Sequence, residues 1–203
     1  MTHHVHVIDH PLVQHKLTMM RQQTTTTSQF RELMREISLL LGYEVTRSMT
    51  TSLTTVETPL CKTQSPLLDE KQPAIIPIMR AGLGLLDGLL QLLPAARIGH
   101  VGMYRDSSSN NVIEYYCKFP VDIKDRRTFV VDPLLATGGT AIASLNRVKE
   151  VTSKNIVFIC LIASPEGITA LKEHHNDIPI YTASIDETLN EKQYILPGLG
   201  DAG

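Results

Sequence analysis

Tryptophan is absent from these 203 residues, and phenylalanine occurs only four times. A core must therefore be assembled from Leu, Ile, Val and Met rather than from large rings. Cysteine is scarce as well. Cys61, Cys117 and Cys160 are odd in number and far apart, so neither a disulfide framework nor a zinc spacing emerges. Cys160 lies inside the apolar run from Ile156 to Ala163 and reads as a small core residue. This usage fits a reducing cytosol. No surplus of positive charge exists either: 19 Lys and Arg face 21 Asp and Glu, a net charge of −2. The broad basic face of a nucleic-acid binder is not expected. Nor is there a long hydrophobic run. The leucine-rich region from Leu83 to Leu93 is broken by Gly84, Asp87 and Gly88 and stops at Pro94, too short and too polar to span a bilayer. Met-Thr-His-His-Val-His at the start has no basic region followed by an apolar one, so it does not read as a signal peptide. The expectation is a cytoplasmic protein with neither membrane nor nucleic acid as partner.

What is present begins with a helix. Phe30, Leu33, Met34, Ile37, Leu40 and Leu41 recur at helical spacing, which predicts a helix from Ser28, as N-cap, to about Gly42. From residue 74 strands and helices alternate. Ala74 to Met79, Ile98 to Tyr104, Val112 to Phe119, Thr128 to Asp132, Asn155 to Ala163 and Ile178 to Ile185 read as strands. Helices are expected after Gly84, from about Ala141 to Val151 and from Ile168 to His174. Such alternation implies an α/β fold with a mostly parallel sheet flanked by helices, and a β-hairpin arm at about 104–119. In such sheets ligands collect beyond the carboxyl ends of the strands. Both glycine loops, after Met79 and after Asp132, would lie there.

The second loop is the more informative. The apolar strand Phe129-Val130-Val131 ends at Asp132, and Pro133-Leu134-Leu135-Ala136-Thr137-Gly138-Gly139-Thr140 leads into a helix. Glycines let backbone approach an anion, and a helix start aims unpaired N–H groups at it. Thr137 and Thr140 add hydroxyl donors. No Gly-Lys-Thr or Gly-x-Gly-x-x-Gly is present, so this is neither a nucleoside-triphosphate loop nor a dinucleotide fingerprint. Asp132 stands where it would meet sugar hydroxyls, and phosphate plus a ribose diol suggests a phosphoribosyl group. The bland alternative is a tight strand-to-helix turn that merely needs glycine. In the first loop, Arg80 lies beside Gly82 and Gly84 at a strand end, a good place for an anion.

The segment Asp132 to Thr140 closely resembles the phosphoribosyl-diphosphate loop of uracil phosphoribosyltransferases, within the type I phosphoribosyltransferases. Uracil enzymes have Asp-Pro at its start, as here; Leu134 and Thr140 stand where many members have Met and Ser. Pro77 to Gly84 is similar to the family's pyrophosphate loop. Tyr104-Arg105-Asp106 is similar to the segment that carries a second arginine; taken alone, Arg105 reads as a solvated hairpin charge. Tyr194 to Gly203 resembles the uracil-binding loop, where a Gly/Pro-rich backbone would present its N–H and C=O groups to the base. Without the resemblance it would read as a flexible tail. Asp9 to Val13, Phe30 to Leu33, Pro165-Glu166-Gly167 and Tyr181 to Glu187 match as well, so the likeness spans nearly the whole chain as one phosphoribosyltransferase domain, 1–203.

The resemblance implies transfer of a phosphoribosyl group to N1 of uracil, giving UMP and diphosphate. It implies that Arg80, Arg105, Asp132, Pro133, Leu134, Leu135, Ala136, Thr137, Gly138, Gly139, Thr140 and Asp201 bind phosphoribosyl diphosphate. Ile195, Gly200, Asp201 and Ala202 would bind uracil, and Asp201, Arg80 and Arg105 would serve catalysis. Mg²⁺ is expected to ride on the diphosphate, with no direct protein ligand. GTP as an activator and a homodimer or homotetramer are further expectations. Family members usually continue past the position of Gly203, so a looser pocket or a shortened chain is expected. The histidines near the start read as a polar end, and His174 and His175 as charge placed at a helix terminus. Asp186 and Glu187 would point to opposite sides and act mainly in structure, with a supporting role near the uracil loop. Two rival readings use the same scaffold: an RNA-binding regulator, disfavoured by Asp132-Pro133 and the charge, and a ligand sensor without activity.

Overall fold

The structure, a computed structural model, describes residues 5–105, 112–153 and 155–200, the side chain of Arg105 excepted. In chain order, β1 (Val5–Val7) leads to helices α1 (Pro11–Arg21) and α2 (Thr27–Val45), followed by strands β2 (Thr51–Glu57) and β3 (Lys62–Leu68). Next come β4 (Ala74–Met79), α3 (Leu83–Leu92), β5 (Arg97–Ile98), β6 (His100–Arg105), β7 (Val112–Lys118), β8 (Thr128–Val131) and β9 (Leu134–Leu135). The last part holds α4 (Gly139–Lys149), β10 (Ile156–Ala163), α5 (Pro165–His174), β11 (Ile180–Ile185), β12 (Thr188–Leu189) and β13 (Ile195–Leu196).

The main sheet runs β1-β11-β10-β8-β4-β6-β7, with β5 also paired to β4 and β9 to β10. Every pairing in it is parallel except β6 with β7. Pro77 is level with Val131, Val131 with Ile159, and Ala163 with Ile185. The carboxyl ends of β4, β8, β10 and β11 therefore share one edge.

Residue alternation explains why the sheet sits between helices. Phe129 and Val131 point into a cluster with Val13, Leu17, Leu33, Ile37, Leu41 and Leu89 from α1, α2 and α3. Val130, between them, joins Leu145, Val148, Ile168 and Leu171 of α4 and α5. All eight residues of β10 are buried, the pattern of a central parallel strand. Phe129 and Phe158 supply the large rings of the core. Cys160 belongs to it too, and burial pushes its thiol up to about 12.

Several boundaries differ from the sequence expectation. Helix α2 begins two residues earlier than expected, at a Thr26 cap rather than Ser28: Thr26 Oγ1 accepts from the Gln29 N–H at 3.4 Å while Gln29 Oε1 accepts from the Thr26 N–H at 3.0 Å. The two bonds form a reciprocal capping box. Gly42 does not end the helix. It lies inside it because a Cβ there would stand 2.7 Å from Leu89 Cδ2, so its missing side chain lets α3 approach. Helix α1 was not expected. His10 caps it, its Nδ1 accepting from the Leu12 N–H at 3.2 Å, and Pro11 starts it. His175 is buried rather than set out as a terminal charge, and desolvation holds its imidazole below the usual histidine range.

Two small sheets complete the fold. Strands β2 and β3 form an antiparallel ribbon whose residues are almost all exposed, and β12 pairs with β13 in a short flap. The β6–β7 hairpin, expected as an arm, extends the edge of the main sheet.

Candidate active site

Both glycine loops leave the sheet at the shared carboxyl edge, and a cleft of about 490 Å³ opens between them. Arg80 and Ala81 of the first loop line it, as do Asp132 and Thr140 of the second. Met103, Tyr104 and Tyr115 from the β6–β7 hairpin form another wall.

The first loop is held by close backbone packing. The Gly82 N–H donates to the Ile78 carbonyl at 2.8 Å, and Gly82 caps α3. A Cβ on Gly82 would meet the Val131 carbonyl oxygen at 2.5 Å. Only glycine lets this loop lie directly on the end of β8. The Met79–Arg80 peptide is cis. Arg80 is exposed at the cleft and has no ion-pair partner among the described residues.

The second loop is held from behind by α5. Ser164 caps that helix, accepting from the Gly167 N–H at 2.9 Å, and its hydroxyl donates to the Ala136 carbonyl at 2.6 Å. The Ser164 N–H donates to the Leu135 carbonyl at 2.9 Å. Leu134 and Leu135 pair with Ile162 and Ala163 as β9. Gly138 takes the left-handed conformation, φ 83°, where a side chain would be strained. It caps α4 without a side chain, so the first-turn N–H groups at Gly139 and Thr140 stay available. The helix dipole adds partial positive charge there. An arriving anion would meet unpaired donors and partial positive charge there.

Asp132 sits between the two loops. Its N–H donates to the Ile159 carbonyl at 3.1 Å, which fixes the residue at the end of β8. Its carboxylate has no hydrogen-bond or ion-pair partner among the described residues. Burial alone pushes its pKa up to about 8. The cleft still reaches it, since Asp132 is only half-buried and lines the opening. A hydroxyl or a cation arriving with a ligand would relieve that desolvation.

The third element is the flap after β11. Ile195 is buried in β13, and Gly198 and Gly200 take positive φ angles of 70° and 75°. The Leu196–Pro197 peptide is cis. Asn190 Oδ1 accepts from the N–H groups of Lys192 and Tyr194, both at 2.9 Å. Glu166 Oε1 accepts from the Thr188 hydroxyl at 3.0 Å and so ties the flap to α5. Asp186, buried at the flap's root, accepts from the Gly198 N–H at 3.0 Å and pairs with Arg21.

Of the residues singled out in the sequence, Arg80, Asp132 and Thr140 line one cleft, and Pro133 to Gly139 form the loop that joins Asp132 to Thr140. Ile195 and Gly200 leave the same sheet edge but do not line that cleft. Arg105 ends β6, level with Val112. Asp201 and Ala202 lie outside the described residues. Sequence reasoning missed Tyr104 and Tyr115 as ring walls of the cleft, their centroids 6.2 Å apart. It also missed Arg21. A second pocket, of about 220 Å³, opens at the opposite, amino ends of the strands near Arg127, Asn155 and Tyr181, and contains none of these loops.

Residues 7–203 match the family model for uracil phosphoribosyltransferase. The chain belongs to the uracil phosphoribosyltransferase family. Members named uracil phosphoribosyltransferase from Legionella pneumophila and Enterococcus faecalis are 55% and 54% identical to it, over 199 and 197 residues. The matches cover 98% and 97% of this chain and 93% and 94% of those proteins. A solved structure of an Aquifex aeolicus protein superposes with a TM-score of 0.90 at 34% identity, covering 98% of this chain and 95% of the other. A hypoxanthine-guanine phosphoribosyltransferase of Bacillus anthracis superposes at 0.51 with 13% identity, covering 78% and 80%, which shows the shared fold alone. Among the described residues, no helix is long and apolar enough to cross a membrane.

Proposed function

We propose that the chain transfers the phosphoribosyl group of 5-phospho-α-D-ribose 1-diphosphate to N1 of uracil, giving UMP and diphosphate. The observation that carries this reading is the placement of the anion cradle, the unpartnered Asp132 and the free Arg80 around one cleft in a member of this family.

The bond between the anomeric carbon and the diphosphate oxygen breaks as the bond to uracil N1 forms, and the N1 proton leaves to solvent. No covalent nucleophile is required, so the protein acts by positioning and by compensating charge. The α4 N-terminus with Thr137 to Thr140 holds the 5′-phosphate. Asp132, ionised in the complex, accepts the ribose hydroxyls. Arg80, with Arg105, offsets negative charge gathering on the departing diphosphate. The flap at Ile195 to Gly200, continuing to Asp201 and Ala202, presents backbone groups to the uracil edge. A base with a reversed donor pattern, such as cytosine, would leave those groups unpaired.

Mg²⁺ belongs to the reaction as a passenger on the diphosphate. Among the described residues that line the cleft, Asp132 carries the carboxylate that such an ion could approach. A cation already bound to phosphate needs few protein ligands and keeps its waters. When bound, it supplies positive charge to the leaving group.

The same proposal extends to a homodimer or homotetramer, cytoplasmic, with GTP as activator. Leu53 and Leu68 stand exposed on one face of the β2–β3 ribbon, a surface that a second copy would cover. GTP and the cytoplasm rest on the family resemblance and the cysteine usage. The test is UMP formation with cytosine, hypoxanthine and orotate as control bases, each with and without GTP. Turnover of uracil alone is the expected result. Binding of phosphoribosyl diphosphate without turnover of any base would put the sensor reading in its place.

A further inference from the structure

Arg21 closes helix α1, yet its guanidinium reaches across the chain to the flap. Nη1 donates to Asp186 Oδ2 at 2.7 Å and to the Gly198 carbonyl at 2.8 Å, and Nη2 donates to Asp186 Oδ1 at 2.6 Å. Asp186 Oδ2 in turn accepts from the Gly198 N–H at 3.0 Å, and Oδ1 accepts from the Ser184 hydroxyl at 2.8 Å. Both backbone polar groups of Gly198 are thus held by one ion pair. Gly198 also cannot carry a side chain in this position: a Cβ on it would stand 2.0 Å from the Ile195 carbonyl oxygen.

We infer that Arg21 and Asp186 are positioning residues for the base: the pair sets the height of the Ile195–Gly200 backbone over the sheet edge, and with it the affinity for uracil and the rejection of cytosine. This inference rests on the reading of that flap as the uracil loop. Its physical logic is that backbone readout has no side chain to adjust. A base recognised through N–H and C=O groups is read only as well as those groups are placed, and small displacements cost affinity and selectivity together. A short flap with two left-handed glycines cannot place itself. The clamp fixes it from a helix that is otherwise remote in sequence.

The carboxylate of Asp186 is suited to the task. Burial raises its pKa, but the bonds from Arg21, Ser184 and Gly198 outweigh burial and hold it below the usual aspartate range. It stays ionised throughout the neutral region. A buried ion pair of this kind contributes little net stability compared with apolar packing, which fits a role in fixing one geometry.

The experiment compares Arg21→Ala, Arg21→Lys and Asp186→Asn by steady-state kinetics and thermal melting. Uracil KM is expected to rise between about 10- and 100-fold, with the uracil-to-cytosine ratio of kcat/KM falling, while KM for phosphoribosyl diphosphate moves by less than about threefold. Millimolar methylguanidinium should restore the uracil KM of Arg21→Ala and leave Arg21→Lys unchanged. Gly200→Pro, which cannot hold a φ of 75°, serves as the control for the loop itself. If Gly200→Pro raises the uracil KM and the Arg21 variants do not, the clamp is wrong and the loop reading stands. If none of them changes it, the loop reading has failed. If both KM values and the melting temperature shift in step, without rescue, the pair is merely structural and the inference is overturned.

Discussion

Gly82→Ala tests the packing of the first loop on the sheet. The backbone φ of −59° at Gly82 suits any residue, so no conformational strain is involved. The obstacle is space. The added Cβ would lie 2.5 Å from the Val131 carbonyl oxygen and 2.7 Å from both the N and O of Ile78. An ordinary contact of this kind needs roughly 3.5 Å, so the loop must lift by about 1 Å. All three obstacles are backbone and cannot swing away. Overpacking of this size costs about 1–3 kcal/mol. The functional cost is larger, because the lift carries Arg80 away from Asp132, and a 1 Å misplacement costs about 100-fold in rate. Gly84→Ala is the internal control. Its Cβ would meet Met34 Sδ at 2.2 Å, a flexible side chain that can move aside. The assay is kcat/KM for phosphoribosyl diphosphate, with melting temperature measured alongside. Gly82→Ala should lose about 100-fold and Gly84→Ala less than about threefold. Equal losses in the two variants, or none in Gly82→Ala, would refute the reasoning.

Other predictions follow from single features. Asp132 has its folded pKa raised to about 8, so its contribution to stability is full below its unfolded value near 3.8 and is lost as pH rises toward 8. The unliganded protein should therefore lose melting temperature over that window relative to Asp132→Asn, as read by calorimetry at stepped pH. At pH 7, binding of phosphoribosyl diphosphate should release a proton that Asp132→Asn does not release, seen as buffer-dependent binding heat. Arg80→Ala should raise KM for phosphoribosyl diphosphate and lower kcat, together about 100-fold or more, in the same kinetic assay. Thr26→Ala removes the capping box of α2 and should cost about 1 kcal/mol, a fall of about 3 °C in melting temperature, with kcat unchanged. Leu53→Lys combined with Leu68→Lys, on one face of the ribbon, should lower the assembly size seen by light scattering.

The strands that build the site were readable because burial writes itself into sequence. Ala74 to Met79 and Ile156 to Ala163 are apolar throughout and prove buried throughout or nearly so. The loops that follow them were readable because their glycines have a mechanical cause, shown at Gly82 and Gly138. What escaped has equally physical reasons. Helix α1 carries only Val13, Leu17 and Met20 as buried residues among His, Gln and Lys, although Pro11 after a capping His10 was a usable signal. Strand β3 turns neither face to the core, so no alternation marks it. The contact of Arg21 with Asp186 spans 165 residues, and nothing in the neighbourhood of either residue announces the other. The raised pKa of Asp132 depends on the walls around it, which a linear sequence does not display.

The most direct measurement of the central claim is UMP formation by the full chain from uracil and phosphoribosyl diphosphate with Mg²⁺, beside the same reaction with cytosine, hypoxanthine and orotate. Turnover with uracil is expected, and none above background with the other three. Turnover of a purine base or orotate in preference to uracil, or binding of phosphoribosyl diphosphate with no turnover of uracil, would contradict it.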